Sequence, residues 1–268
     1  MQKKKVGLAL GGGAARGLAH IGVLRALEAN NIRIDFIAGT SAGAVAGAAY
    51  ANGASPDALK EMMLSMELRD WASLADVSIP HGGFLAGNRV ISLLKTIIGD
   101  VEFKDLKLPF ACVACDLWTG EEVVFKEGSV LEGVRASISI PLVFSVVEHQ
   151  GRYLVDGGLI NQVPVNVARK MGADVVVAVN VIPTLKSRRK KSAAKKMKQP
   201  GIFDVMMQVI DITNVKTVME SLEGADVVIN PDTKGFNSAD FYLAKDLILQ
   251  GEIAGELAVP EIELALRS

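Results

Sequence analysis

The chain has no run of large aliphatic residues long enough to cross a membrane as a helix. Its longest uncharged stretch, Phe36 to Pro56, is dominated by Gly, Ala, Ser and Thr, which lack the apolar area that insertion requires. Net charge is also nearly absent. With 29 basic and 30 acidic residues the balance is -1, so no nucleic-acid partner is expected and any electrostatic partner must be met by a local patch. Cysteine is scarce. Cys112 and Cys115 form one C-x-x-C with no second pair to complete a zinc shell, and on a strand residues three apart face opposite sides, so both read as packed thiols. The 3 histidines, His20, His81 and His149, all stand before position 150. There is no internal repeat and no acidic loop with calcium-ligand spacing, and neither a metal nor a cofactor is expected. The opening MQKKKVGLALGGGAARGLAHIGVL begins like a secretory leader, but Arg16 and His20 interrupt its apolar part and no cleavage site follows. It reads as mature sequence of a cytoplasmic protein.

What is present is enough apolar material for a large core: 268 residues, 50% hydrophobic and 22% charged, read as one domain over 1–268. Apolar runs bounded by glycine alternate with helical patterns. Strands are expected at Val6 to Leu10, Phe36 to Ala38, Leu108 to Ala114, Glu122 to Phe125, Tyr153 to Val155, Val175 to Val179 and Val227 to Ile229, with helices at Leu18 to Ala29 and Ala42 to Ala51. Strand–helix alternation predicts an α/β protein, three layers α/β/α around a mostly parallel central sheet with right-handed crossovers. The mixed segment 55–98, with Met62, Met63, Met66, Trp71 and Phe84, is compatible with a lid or insertion, although its methionines read first as core filler. Around 183–200 a flexible loop is expected. Lys186 to Lys198 carries eight basic residues and no acid, a pattern that fits a solvated surface or peripheral contact with an anionic membrane.

The sharpest motif is Gly39-Thr40-Ser41-Ala42-Gly43, a G-x-S-x-G set between an apolar run and a small-residue helix. A strand turning abruptly into a helix crowds the backbone at the serine, so flanking glycines prevent clashes and the hydroxyl is held out at the sheet end, beside the positive end of the helix. A second motif, Gly11-Gly12-Gly13-Ala14-Ala15-Arg16-Gly17, follows the first strand. Its uncovered N–H groups suit phosphate or an oxyanion. The dinucleotide pattern fails in every frame and no G-K-[ST] follows, which favours the oxyanion. A third, Asp156-Gly157-Gly158, ends an apolar strand with an acid. Asp-Gly is equally a turn dipeptide, and spacing alone does not bring Ser41 and Asp156 together. Because no histidine follows Asp156, the Ser, Asp, His order of α/β-hydrolases is excluded and a carboxylate is the expected base.

Over nearly the whole chain, LALGGGAARGLAHIGVLRALE, IAGTSAGA, RASISIPLVF and YLVDGGLINQVPV resemble the patatin-like phospholipases, in the small bacterial type that is a catalytic domain alone. The resemblance implies a patatin-like fold and a serine acyl-ester hydrolase acting on a lipid or other acyl ester. It implies that Ser41 is the nucleophile and Asp156 its dyad partner, with an oxyanion hole at Gly12, Gly13 and Ala14. Gly39, Gly43, Arg16, Gly17, Gly157 and Gly158 support these motifs. Ala14 departs from the third glycine of many relatives but keeps its N–H. Arg135 falls in a segment that lies beside the site in relatives, where a structural role is expected. A regulatory lipid-binding protein of the same fold is the alternative.

Overall fold

The computed structural model describes residues 3–66, 83–141, 143–183 and 202–268. Within them one sheet contains β1 (Val6–Leu10), β2 (Phe36–Thr40), β3 (Phe110–Asp116), β4 (Glu122–Phe125), β5 (Val147–His149), β6 (Arg152–Asp156), β7 (Val175–Val179) and β8 (Val227–Ile229). The helices are α1 (Ala19–Ala29), α2 (Ala42–Ala51), α3 (Pro56–Ser65), α4 (Gly83–Ile98), α5 (Val130–Ser137), α6 (Val165–Lys170), α7 (Ile202–Ser221) and α8 (Ala244–Arg267).

Strands β3, β2, β1, β7 and β8 pair in parallel, while β4, β6 and β5 are antiparallel. The predicted mostly parallel sheet is therefore correct, with an antiparallel margin that the strand–helix alternation did not announce. β7 is buried along its whole length, as its VVVAV sequence requires of a central parallel strand. Side chains alternate between two cores. Leu8, Leu10, Ile37 and Val177 face one that is closed by α1, α2, α4, α5 and α8. Ala9, Ala38, Val113 and Ala178 face another, covered by α6. These are the three expected layers. Leu8, Leu24 and Ile37 are fully enclosed, and each such side chain contributes roughly 1.5 to 3 kcal/mol of transfer free energy.

Glycine sets how closely the first layer stacks. A Cβ on Gly22 of α1 would lie 1.9 Å from the Ile248 carbonyl oxygen, and one on Gly251 of α8 would lie 1.9 Å from that of Ala19. The two helices thus meet backbone to backbone, a contact open only to glycine.

β3 starts two residues later than its apolar run suggests, after Pro109, whose missing N–H suits it to the head of a strand. β5, only three residues long, lacks a readable period. In the segment 55–98, Ser55 caps α3 by accepting the Ala58 N–H at 3.1 Å, with Pro56 in the first turn. Leu59 and Met63 are buried beside Leu18 and Ile248, and Met62 and Met66 pack on the same cluster. Val90, Leu94 and Ile98 of α4 enter the main core. Trp71, like His81 and the run Lys186 to Lys198, lies outside the described residues.

Candidate active site

The site is built where two strands end on a third. β2 pairs with β3 as far as Thr40 opposite Val113. β4 pairs with Cys112 and Val113 as well, so it occupies the other edge of β3. β6 pairs with Ala114 and Cys115, which also face β4, and therefore shares the edge used by β2. Along that edge β2 arrives from one end and antiparallel β6 from the other, Asp156 standing opposite Ala114. Ser41 and Asp156 follow directly from the two strand ends, and their side chains meet: Ser41 Oγ donates to Asp156 Oδ2 at 2.6 Å.

Ser41 itself has φ 53 and ψ -120, a region a non-glycine residue enters only when its surroundings hold it there, at about 1 to 3 kcal/mol. What holds it is the sharp turn. The Ser41 carbonyl already accepts the Ala44 N–H at 2.9 Å as the first bond of α2, while the Ser41 N–H is taken by Ser137 Oγ at 2.8 Å. Gly43 makes the turn sterically feasible, since a Cβ there would sit 2.1 Å from the Leu10 carbonyl oxygen, and one on Gly39 would sit 2.6 Å from Ala44 Cα. The serine side chain makes no capping bond, which leaves its hydroxyl to Asp156.

Asp156 is buried, and its Oδ1 accepts the Gly158 N–H at 2.8 Å. Burial raises its carboxyl to about 6, against the opposing effects of the hydrogen bonds from Ser41 and Gly158, which lower it. Near neutrality Asp156 is thus ionised but close to its titration, a state in which a carboxylate can exchange a proton with a hydroxyl bonded to it. Gly157 is pressed on β3, with the Val113 carbonyl oxygen 2.2 Å from where its Cβ would be.

The glycine-rich loop leads from β1 into a 3-10 turn, Ala14–Leu18. The Gly12 N–H donates to the Gln162 carbonyl at 3.0 Å, which corrects the expectation of three loop donors at this point. Gly12 instead provides space, its missing Cβ lying 3.2 Å from Ser41 Cβ. The N–H groups of Gly13 and Ala14 have no protein acceptor among the described residues, and both residues line the same cavity as Ser41. Ala14 holds φ 48. Gly17 lets the turn press on α2, for a Cβ there would meet that of Ala42 at 2.4 Å. Arg16 is buried, its Nε donating to the Phe236 carbonyl at 3.1 Å, and it also lines the cavity. Behind the loop, burial pushes His20 down to about 4, so the ring is neutral and its Nε2–H is directed to the Gly11 carbonyl at 2.7 Å. His20 props the loop. His149 pairs instead with Glu132 at 2.8 Å.

The cavity has a volume of about 40 Å³. Besides the residues already named, Ile140, Pro141, Leu159, Gln162, Ile182, Ile210, Asn214 and Ser238 line it; no described residue of 55–98 does. Gln162 Oε1 is buried there with no hydrogen-bond partner among the described residues. Sequence reasoning missed most of these residues. Ser137 sits inside RASISIP, where attention fell on Arg135, which serves the structural role expected of it: its guanidinium bonds Ser139 Oγ at 2.7 Å and the Ser145 carbonyl at 3.1 Å. Ile210 and Asn214 come from α7, far along the chain, and no motif marks them. A larger groove of about 770 Å³ between α1 and α8 is lined by ion pairs such as Arg25 with Asp57 and holds no nucleophile. Cys112 and Cys115 are free and buried in β3, with Cys112 pushed up by burial. Among the described residues no helix is long and apolar enough to cross a membrane, and no group of three His, Cys, Asp or Glu could hold a metal ion.

Comparison with known proteins gives a family match, described as patatin-like phospholipase, over residues 8–169. An uncharacterised NTE family protein of Mycobacterium bovis is 38% identical over 177 residues, which are 66% of this chain and 49% of that protein. Patatin-like phospholipase domain-containing protein 6 of Mus musculus is 34% identical over 186 residues, 66% of this chain and 13% of its own. The chain thus matches about half or less of the length of these relatives. Two solved structures from bacteria are similar to the chain at low scores. VipD from Legionella pneumophila has a TM-score of 0.44 at 13% identity, covering 94% of this chain and 67% of that one. ExoU from Pseudomonas aeruginosa has 0.45 at 15%, covering 99% and 53%.

Proposed function

The chain belongs to the patatin-like phospholipase family, and from that premise we propose that it is a serine hydrolase of lipid acyl esters working through Ser41 and Asp156. The observation that carries the reading is the 2.6 Å hydrogen bond from Ser41 Oγ to Asp156 Oδ2 at a cavity that Gly13 and Ala14 also line. Asp156 accepts the Ser41 proton as Oγ attacks the ester carbonyl, and the carbonyl oxygen, now negative, is held by the N–H groups of Gly13 and Ala14. The proton passes to the leaving alkoxide. Water then attacks the acyl-serine with Asp156 again as base, releasing the fatty acid and restoring Ser41. The direct test is labelling with a fluorophosphonate: the adduct should map to the peptide containing Ser41, and labelling elsewhere, or none, would remove the proposal.

The acid limb of the pH profile follows from Asp156. Only its ionised form accepts a proton, so kcat/KM on a soluble p-nitrophenyl ester should rise with unit slope up to about pH 6, where Asp156 titrates, and level off above it. A profile flat from pH 4.5 to 7 would exclude Asp156 as the base.

A further inference from the structure

α7 is apolar on two opposite sides. Its inner side seats on the site: Ile210 and Asn214 line the cavity, Thr217 and Val218 are buried, and the Asn214 amide, oriented to satisfy its hydrogen bonds, donates to the Gly158 carbonyl at 3.3 Å. Half a turn round the helix, Val205, Val209, Ile212 and Met219 recur at spacings that keep them on one stripe. They are 42%, 51%, 51% and 74% exposed. The stripe extends over about 20 Å of helix at 1.5 Å per residue, with Lys216 within it and Glu220 at its border.

We infer that this outer face of α7 is the surface by which the protein lies on an anionic lipid bilayer, the helix resting in the headgroup plane above the active site. The inference rests on the reading of the site as a lipid-ester hydrolase. Two further observations select the bilayer as occupant. First, a cavity of about 40 Å³ is far below the roughly 300 to 1,000 Å³ of sites that enclose a ligand, so the acyl chains of a lipid ester must remain largely outside it, in whatever apolar medium adjoins α7. Second, in the sequence the eight basic residues of Lys186 to Lys198 end four positions before α7 begins, in a chain whose total charge is -1. An apolar helix face preceded in sequence by a polybasic run suits anionic headgroups. α8 also exposes apolar residues, Leu249, Ile253 and Leu257, but Glu252 and Glu256 stand among them, which opposes the same surface.

The test is co-sedimentation with vesicles of phosphatidylcholine and phosphatidylserine in a 3:1 ratio. The full chain carries Ser41→Ala so that no lipid is consumed, and hydrolysis of a soluble ester is followed in parallel with Ser41 intact. Val209→Asp with Ile212→Asp should reduce vesicle binding at least about tenfold while leaving soluble-ester hydrolysis within about twofold. Leu249→Asp with Ile253→Asp on α8 should change neither. If the α7 pair lost hydrolysis too, Val209→Ser with Ile212→Ser replaces it as the milder variant. Undiminished vesicle binding by the α7 variant, or no binding by the parent chain despite active soluble-ester hydrolysis, overturns the docking face and leaves the esterase reading intact. A parent dimer that the α7 variant turns into a monomer assigns the face to a second copy and overturns it as well. Vesicle binding that depends on α7 in a chain without any esterase activity keeps the docking face and removes the function proposed above.

Discussion

Replacing Ser41 by Ala should lower hydrolysis of a p-nitrophenyl ester by about 10⁴-fold or more, the scale seen when a covalent nucleophile is removed, while the protein still folds. Among the described residues the other hydroxyl lining the cavity, that of Ser238, has no carboxylate bonded to it as Asp156 is to Ser41, and Cys115 lies in β3 with its thiol raised by burial and by the neighbouring charges of Asp116 and Asp156. Alanine keeps the main-chain bonds that form the turn, the Ser41 N–H to Ser137 and the Ser41 carbonyl to Ala44. What it removes is the hydroxyl and its bond to Asp156, leaving that buried carboxylate with the Gly158 N–H alone. The variant should therefore be inactive and somewhat less stable at neutral pH. A folded Ser41→Ala protein with more than a few per cent of parental activity would show that another group makes the attack.

Asp156→Asn should separate catalysis from stability. The amide cannot accept the serine proton, and loss of a positioned general base lowers the rate by roughly 10² to 10⁴-fold. Stability should move the other way. A carboxyl raised in the folded state from 3.8 to about 6 opposes folding once it is ionised. At about 1.4 kcal/mol per pH unit that is at most about 3 kcal/mol, absent below pH 3.8, growing as pH rises to 6 and constant above. Asparagine carries no such charge and can still accept the Gly158 N–H. The melting temperature of Asp156→Asn should accordingly exceed the parent's at pH 8, with the difference shrinking towards pH 4. Equal melting at both pH values would mean that the carboxylate is not held out of water as its burial implies.

Much of this arrangement could be read from the sequence, and the parts that could not have a common cause. The G-x-S-x-G turn was legible because its sterics are local: glycine on both sides, an apolar run before, a small-residue helix after. The parallel strands were legible because burial on both faces leaves a continuous apolar run, as in VVVAV. The antiparallel margin is less distinct, since β5 is three residues long and β4 is half-covered. Nor could spacing show that Ser41 and Asp156 meet, because their contact depends on how far β3 extends past the end of β2. The loop donors were over-counted for a similar reason: that Gly12 is engaged by Gln162 is a contact between segments 150 positions apart. α7 was the largest omission. It carries no motif, and its two apolar sides give it little amphipathic signature.

The placement of two strand ends along one edge of β3 also bears on how the gene can change length. Ser41 and Asp156 are both indexed to β3, at Val113 and Ala114, so β3 acts as the ruler between them. Insertions or deletions in the exposed turns that follow β3 and β4, at Leu117 to Glu121 and Lys126 to Gly128, alter the count from serine to aspartate without moving either one. A single residue added between Val113 and Ala114 would instead push β6 one step along the edge and turn every later side chain of β3 to the other face. Relatives are thus free to differ widely in loop length while the stretch from Phe110 to Asp116 tolerates no change in its own.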